Sequence, residues 1–292
     1  MKIDYAQLAA LSAILRTGTF EAAAEELGIT QSAVSQRLKA LEDRAGTPLV
    51  KRGQPCVGTE TGRRLAAHLD QVGMLETALA QDLSALTPRT ARLRIAVNAD
   101  SLSTWFLPAI AQVPDLLFDL VVDDQDFSAD WLRRGEVVAA VTAHETPVAG
   151  CDSVPLGTLT YVASASPAFV ARHFSDGVTA KAIAKAPMLV FDPKDRLQQI
   201  WMREHLGAAP TPPSHRLPSS QGFVDACLLG LGWGMNPAPL IKPHLDAGTL
   251  VPLLPDACHS TPLFWQSTRL LRPALSPLSA AIKRMARAAL LS

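Results

Sequence analysis

Between Thr19 and Arg44 the apolar positions fall at helical spacing twice in succession, with a glycine between the two runs. Phe20, Ala23, Ala24 and Leu27 form one stripe and Ala33, Val34, Leu38 and Leu41 another, which predicts two short helices packed through facing seams. Gly28 is free to take a positive φ at the turn, and Thr30 can cap the second helix through its hydroxyl. An amphipathic helical pattern precedes this pair. After it, Gly46 to Arg52 and then Pro55, Val57, Thr59 and Gly62 read as a short strand pair, or wing, with Lys51 and Arg52 at its edge.

From about Thr59 to Leu86 there is no proline, and Leu65, Leu69, Val72, Leu75, Leu79, Leu83 and Leu86 recur three or four residues apart. The spacing predicts one long helix with a narrow apolar seam, roughly 40 Å long at ~1.5 Å per residue. Such a helix suits a strut that pairs two chains; an ordinary buried helix is the other reading. Thr87-Pro88-Arg89-Thr90 then breaks the pattern and reads as a hinge.

Beyond the hinge, strand and helix patterns alternate. Strands are expected at Leu93 to Val97, Phe118 to Val122 and Val137 to Thr142, with helices at Ser103 to Gln112 and Ala129 to Gly135 between them. A second set follows, with strands near Thr158 to Ala163, Met188 to Phe191 and Trp233 to Asn236 and helices near Arg196 to Leu206, Phe223 to Leu229 and Leu240 to Ala247. Leu263 to Gln266 and a last helix, Leu278 to Leu290, return toward the first set. This order implies an α/β sheet with crossover helices. Pro210 to Pro213 reads as a surface connector.

The chain has 292 residues, 48% of them hydrophobic, enough for two or three globular cores. Lysine plus arginine equals aspartate plus glutamate at 27 each, which argues against a protein held to a polyanion by bulk charge. The cations of the first unit cluster late: Arg37, Lys39, Arg44, Lys51 and Arg52 face only Glu42 and Asp43 in that stretch. Cys56, Cys151, Cys227 and Cys258 are too scattered for a CxxC pair, so reduced structural thiols are expected. The seven histidines form no metal spacing, and there is no GxSxG elbow, P-loop or Gly-rich dinucleotide fingerprint. No cofactor, metal or catalytic residue is therefore expected. With no signal-peptide layout and no apolar run of membrane length, the expected location is the cytoplasm.

Two helices meeting at a tight turn, the second presenting Gln31, Ser32, Ser35, Gln36, Arg37 and Lys39, have the layout of a helix-turn-helix that reads a major groove. Lys51 and Arg52 on the wing are candidate phosphate contacts, and Thr19, at the start of the first helix, joins the candidate DNA contacts. The set QSAVSQRLKALE, GTPLVKR and TETG resembles the amino-terminal domain of the LysR-type transcriptional regulators. The resemblance implies an all-α winged helix-turn-helix domain (1–58), a linker and dimerisation helix with its hinge (59–90), and an α/β effector-binding region (91–292). That region is expected to comprise two Rossmann-like subdomains like those of periplasmic binding proteins, one of residues 91–162 and 268–292 and the other of 163–267. Their crossings leave a cleft in which a small ligand can bias a hinge.

AVNADSLSTWFLPAI, VVDDQD, LRRGEVVAAVT, FDPKD, PSSQGF and GLGWG look like the arginine- and lysine-responsive branch of that family, often called ArgP or LysG. The branch implies a double-stranded DNA operator, lysine or arginine as effector, activation of a gene for basic-amino-acid export, dimers that commonly assemble into tetramers, and RNA polymerase as a partner. A basic amino acid needs anion donors at one end of its pocket and carboxylates at the other. Asp100 and Ser101, at a strand-to-helix junction, are candidates for its α-ammonium and α-carboxylate, with helix capping the competing reading. Asp123, Asp124 and Asp126 follow a strand at its carboxyl end, where open α/β sheets place ligands; at least one, Asp123 or Asp124 above all, is a candidate for the distal cation, with a solvated turn the competing reading. Phe191, Asp192, Ser219 and Ser220 are the candidates from the other subdomain, while Trp105, Trp233 and Trp265 read as core. Two rival functions stand beside the sensor-regulator: an enzyme with a two-subdomain cleft, and a sequence-tolerant chromosome-binding protein of replication-initiation-inhibitor type.

Overall fold

The computed structural model describes residues 4–83 and 91–290, with the side chains of 77–83 and 91 left aside. The first unit contains α1 (Tyr5–Thr17), α2 (Phe20–Leu27), α3 (Gln31–Ala45), β1 (Val50–Lys51) and β2 (Val57–Gly58), followed by α4 (Glu60–Leu83). Its termini are set by local chemistry. Asp4, Thr19 and Thr30 each accept a backbone N–H at the start of a helix, and Gly18, Gly28 and Gly46 close α1, α2 and α3 in the left-handed region. The seams meet as the spacing predicts: Leu8, Leu11, Ile14, Ala23, Val34, Leu38, Leu41 and Leu49 form a buried core.

The wing motifs have physical reasons. Glu42 on α3 accepts the backbone N–H of Leu49 at 2.7 Å, which fixes the entry to β1. Thr59 caps α4 by accepting from Gly62 N at 3.1 Å. Gly62 itself is required by close approach, since a Cβ there would stand 2.0 Å from the Leu49 carbonyl oxygen.

Part of the long seam is used within the chain. Leu65 and Leu69 of α4 pack against the core of their own first unit, and Met74 is buried in the core of the following unit, whereas Leu75 is exposed. The first half of the stripe is thus occupied within the chain. The side chains of Leu79 and Leu83 are left aside, and Leu86 and the Thr87 to Thr90 hinge fall outside the described residues.

The α/β unit continues with β3 (Ala91–Val97), α5 (Ala99–Ser101), a π-helical turn (Leu102–Phe106), α6 (Leu107–Ile110), β4 (Leu116–Val122), α7 (Ser128–Arg133), β5 (Ala139–Thr142) and β6 (Cys151–Ala165). Then come α8 (Pro167–His173), α9 (Ala180–Ile183), β7 (Met188–Val190), α10 (Leu197–Leu206), β8 (Ser214–Arg216), α11 (Ser220–Leu228) and β9 (Gly234–Pro237). The unit ends with α12 (Ala238–Asp246), β10 (Val251–Pro252), β11 (Cys258–Thr268), a 3-10 turn (Arg269–Leu271) and α13 (Arg272–Ala289). Strands β3, β4 and β5 are parallel neighbours joined by crossover helices, as the alternation predicts.

Two strands are much longer than their apolar runs. β6 and β11 pair antiparallel along their whole length, β11 against β5 at one end and β6 against β9 and β10 at the other. They link the two halves into one connected seven-stranded sheet, with a register shift between Leu263 and Phe264. The sequence gives no sign of their polar first half, because Asp152, Ser153, His259 and Ser260 face partly outward and break the hydrophobic run. The helix expected from Ser103 begins four residues earlier, and β8 lies just past the Pro210 to Pro213 connector. Trp105, Trp201, Trp233 and Trp265 are all buried core residues. Among the described residues no helix is long and apolar enough to cross a membrane, and the four cysteines are free thiols.

Candidate functional site

A cavity of about 120 Å³ opens where the two halves of the α/β unit face each other. One wall comes from the carboxyl ends of β3 and β4, with Asn98, Ala99, Asp100 and Val122 to Gln125. The other comes from the loop after β7 (Phe191, Asp192, Asp195, Leu197), the start of α11 (Ser220, Phe223) and β9 (Met235, Pro237). Five aspartates line it, and among the described residues no lysine or arginine does.

These carboxylates are not equivalent. Asp100 is half-buried, and both its oxygens are taken: Ser220 Oγ donates to Oδ1 at 2.5 Å and Tyr161 OH to Oδ2 at 2.8 Å. Burial pushes its carboxyl pKa up, against the two hydroxyl donors that pull it down. It therefore ties the first half to β6 and α11, and it caps no helix. Asp195 organises its own loop, accepting from the backbone of Phe191 and Leu197 and from Gln198 Nε2. Burial raises its pKa too. Asp192 accepts the backbone N–H groups of Lys194 and Asp195.

Asp123 is satisfied on both oxygens. The indole N–H of Trp131 donates to Oδ2 at 2.9 Å, while the Asp124 backbone N–H and Lys194 Nζ donate to Oδ1 at 2.9 and 3.2 Å. Partial burial opposes ionisation, but these donors prevail and hold its pKa below the usual carboxylate range. Lys194 reaches it from the opposite wall and lies 4.3 Å from the centroid of the Phe127 ring, so this contact spans the cleft. Asp124 differs again. Its side chain accepts only from the backbone N–H of Asp126, and burial, reinforced by Asp126, Asp192 and Asp195, pushes its pKa up to about 6. Among the described residues no side chain donates to it.

Asn98 was not singled out from the sequence. It stands at the N-cap position of α5, yet its side chain makes no cap hydrogen bond, is 2% exposed and has neither its amide nor its carbonyl paired within the protein. A buried amide that lines a cavity and has no partner in the protein is free to bond a small molecule there. An asparagine at a helix start reads as a cap, so only the structure reveals it. Tyr161 and Asp195 were missed for a related reason, since each lies far in sequence from its partner or within a strand pattern.

Of the remaining candidates, Phe191, Asp192 and Ser220 line the cavity, but Ser101 and Ser219 do not. Ser101 is fully buried behind the helix start with its hydroxyl unpaired, and Ser219 caps α11 by accepting from Gly222 N at 3.0 Å. The α-carboxylate role expected of Ser101 therefore finds no support in its position, because its side chain points into the core.

In the first unit, Gln31, Ser32, Gln36 and Lys39 are exposed along α3, with Ser35 and Arg37 half-buried beside them. Lys51 and Arg52 are exposed at the wing, the Arg52 guanidinium 5.6 Å from the centroid of the Phe20 ring. Thr19 accepts from Ala22 N and is the cap of α2. The structure thus brings the candidate readers onto one helix and the cations onto the adjoining edge.

Comparison with known proteins agrees with both units. Residues 5–63 match the family described as bacterial regulatory helix-turn-helix protein, lysR family, and residues 87–290 match the LysR substrate binding domain. The chain is 45% identical over 275 residues to the HTH-type transcriptional regulator ArgP of Pseudomonas fluorescens (strain Pf0-1), covering 91% of each sequence. Among solved structures, ArgP from Mycobacterium tuberculosis is similar with a TM-score of 0.81 and 41% identity over the whole of both chains. Full-length LysG from Corynebacterium glutamicum with bound effector Arg is similar with a TM-score of 0.68 and 37% identity, covering 99% of this chain and 100% of that one. These relatives are named as regulators rather than enzymes, and the chain belongs to the LysR-type transcriptional regulators.

Proposed function

We propose that this regulator senses L-lysine or L-arginine in the cleft and, in response, controls transcription from an operator read by α3, activating a gene for export of basic amino acids. The observation that carries the ligand class is Asp124, a carboxylate in an acid-lined cavity that no side chain among the described residues neutralises. A lysine ammonium or arginine guanidinium satisfies it, whereas a neutral or acidic side chain leaves it uncompensated. Asn98 supports the same reading, because an amide offers a donor to an α-carboxylate and an acceptor to an α-ammonium. Arginine bound in the related LysG supports it further.

Gln31, Ser32, Ser35 and Gln36 are assigned to base edges, and Arg37, Lys39, Lys51 and Arg52 to phosphates, with Thr19 beside them. The acting species is a dimer or a dimer of dimers, which sets two recognition helices on half-sites, and RNA polymerase is its partner at the promoter. Calorimetric titration of the full-length protein with the twenty common amino acids tests the ligand assignment. Heat of binding confined to lysine and arginine is expected; tight binding of leucine or glutamate in their place overturns it.

A further inference from the structure

A continuous set of contacts runs from the pocket carboxylates to the wing. The backbone N–H of Asp124 is bonded to Asp123, whose other oxygen takes the indole N–H of Trp131. The Trp131 ring faces the Arg134 guanidinium, 4.5 Å from centroid to Cζ. Arg134 Nε donates to Glu136 Oε1 at 3.0 Å, and Arg63 Nε, from α4, donates to Glu136 Oε2 at 2.9 Å. Arg63 Nη1 donates in turn to the carbonyl of Gly58 in wing strand β2, at 2.7 Å.

Glu136 is the centre of this set. Its carboxylate is fully buried and is shared between one guanidinium of the α/β unit and one from the linker helix. A buried charge of this kind is not left with half its partners at little cost, so loss of Arg63 from Glu136 must be matched by a tighter hold from Arg134 or by rearrangement of the contact. The contact that joins the two units therefore turns on whether Arg63 stays on Glu136. A contiguous network carries coupling only where an element in it takes two arrangements.

We propose that Arg63 and Glu136 are positioning residues that convey occupancy of the pocket to the DNA-reading unit. The inference rests on the reading that a basic amino acid binds at Asp124. A cation drawn to Asp124 pulls on the backbone N–H that Asp124 shares with Asp123. Asp123 then alters its hold on Trp131, and the ring alters the position of Arg134 and hence its share of Glu136. Arg63, which ties Glu136 to β2, moves the wing that flanks α3. Ligand binding thereby changes DNA affinity without any ligand contact to the first unit, and the change is limited by the ligand's differential affinity for the two arrangements.

The test compares full-length wild type with Arg63→Met, Arg63→Lys and Trp131→Phe. Each is titrated with L-lysine and L-arginine, and each is measured for affinity, with and without them, to a duplex selected from random sequence by the wild-type protein. Effector coupling in such systems is typically ~5- to 150-fold. Arg63→Met is expected to bind the amino acids within about threefold of wild type while its effector-dependent change in DNA affinity falls to about 1. Arg63→Lys should restore part of that change. Trp131→Phe, which keeps the ring under Arg134 but removes the donor to Asp123, should also reduce it.

A purely structural role would lower thermal stability and leave the coupling ratio intact, and that result overturns the proposal. If the wild type responds to lysine or arginine and both Arg63→Met and Trp131→Phe respond equally, only this route is wrong. Failure of the wild type to bind either amino acid removes the ligand assignment and the proposal with it.

Discussion

The DNA-reading unit and the ligand cleft use polar side chains in opposite ways. On α3 and the wing most of the candidate readers stand in solvent, on a scaffold whose own needs are met by separate groups, with Thr30 capping the helix and Glu42 fixing the strand entry. In the cleft the polar groups are at least half-buried and satisfy one another across long sequence distances, as when Asp100 accepts from both Tyr161 and Ser220. Structure and recognition are therefore separable in the first unit and shared in the second. A reader on α3 can be exchanged with little effect on folding, whereas a cleft residue is expected to carry larger consequences, because a buried group cannot fall back on water.

The sharpest way to break this contrast is Asp124→Asn. If Asp124 holds the ligand's distal cation, its replacement leaves a desolvated cation facing a neutral amide, a loss of about 3 kcal/mol or ~100-fold in affinity for lysine and arginine. Norleucine, which lacks the cation, should bind equally weakly to both forms, and DNA binding without effector should be unchanged. Calorimetry with the three amino acids checks the first part and fluorescence anisotropy the second. An equal loss for norleucine would show that Asp124 shapes the pocket rather than pairing with a charge.

Next in size are the readers. Gln31→Ala or Gln36→Ala is expected to cost about 1 to 3 kcal/mol on the preferred site and to alter base preference, while Arg52→Ala weakens all sequences and lowers the salt slope by about one unit. Selection of binding sites by each variant, with affinity measured at several salt concentrations, separates the two kinds of loss. Because these side chains are solvent-exposed and serve no structural hydrogen bond that the fold requires, their thermal stabilities should match the wild type.

The same separation explains what the sequence made legible. In the first unit each stripe, cap and turn is decided within a few residues, so Phe20 to Leu41 could be placed on two helices, with Gly28 at the turn, from periodicity and capping chemistry alone. The cleft is assembled from segments near positions 98, 123, 192, 220 and 236, and periodicity says nothing about which of them meet. The carboxyl end of β4 could be recognised as a ligand edge, yet choosing between Asp123 and Asp124 required knowing that Trp131 and Lys194 already occupy Asp123. Asn98 and Ser101 illustrate the limit from both sides. A helix start attracts capping residues, and only packing decides that the asparagine faces the cavity and the serine the core.

A smaller effect should appear in pH dependence. Burial raises the Asp124 carboxyl to about 6, helped by Asp126, Asp192 and Asp195, while Lys194 facing from the other wall is engaged by Asp123. The ionised form that a cation needs is thus present above that value and lost as pH falls through it. The ammonium of lysine, near 10.4 when free, does not titrate in this window. Affinity for lysine should rise by about tenfold between pH 5 and pH 7 and then level off. The control is Asp124→Asn: its affinity, though low, should be nearly flat with pH. A wild-type profile that falls with rising pH would contradict the assigned sign.

The finest comparison uses one device present in both regions. Thr30 accepts from Ala33 N at 3.2 Å at the start of α3, and Ser219 accepts from Gly222 N at 3.0 Å at the start of α11. Replacing either by alanine removes a cap worth about 1 kcal/mol. In the first unit that loss is expected to lower the unfolding midpoint by about 4 to 8 °C, as for a domain of that size, with ligand affinity untouched. In the cleft the capped residue is followed by Ser220, whose hydroxyl donates to Asp100 on the opposite wall. Ser219→Ala should therefore add a few-fold loss in lysine affinity to its thermal effect, because the cap also holds a group that closes the cleft. Calorimetry and thermal melts on the two variants decide the matter: equal ligand affinities would mean that α11 keeps Ser220 in place without its cap, and that the cleft is less dependent on shared interactions than its hydrogen-bond pattern implies.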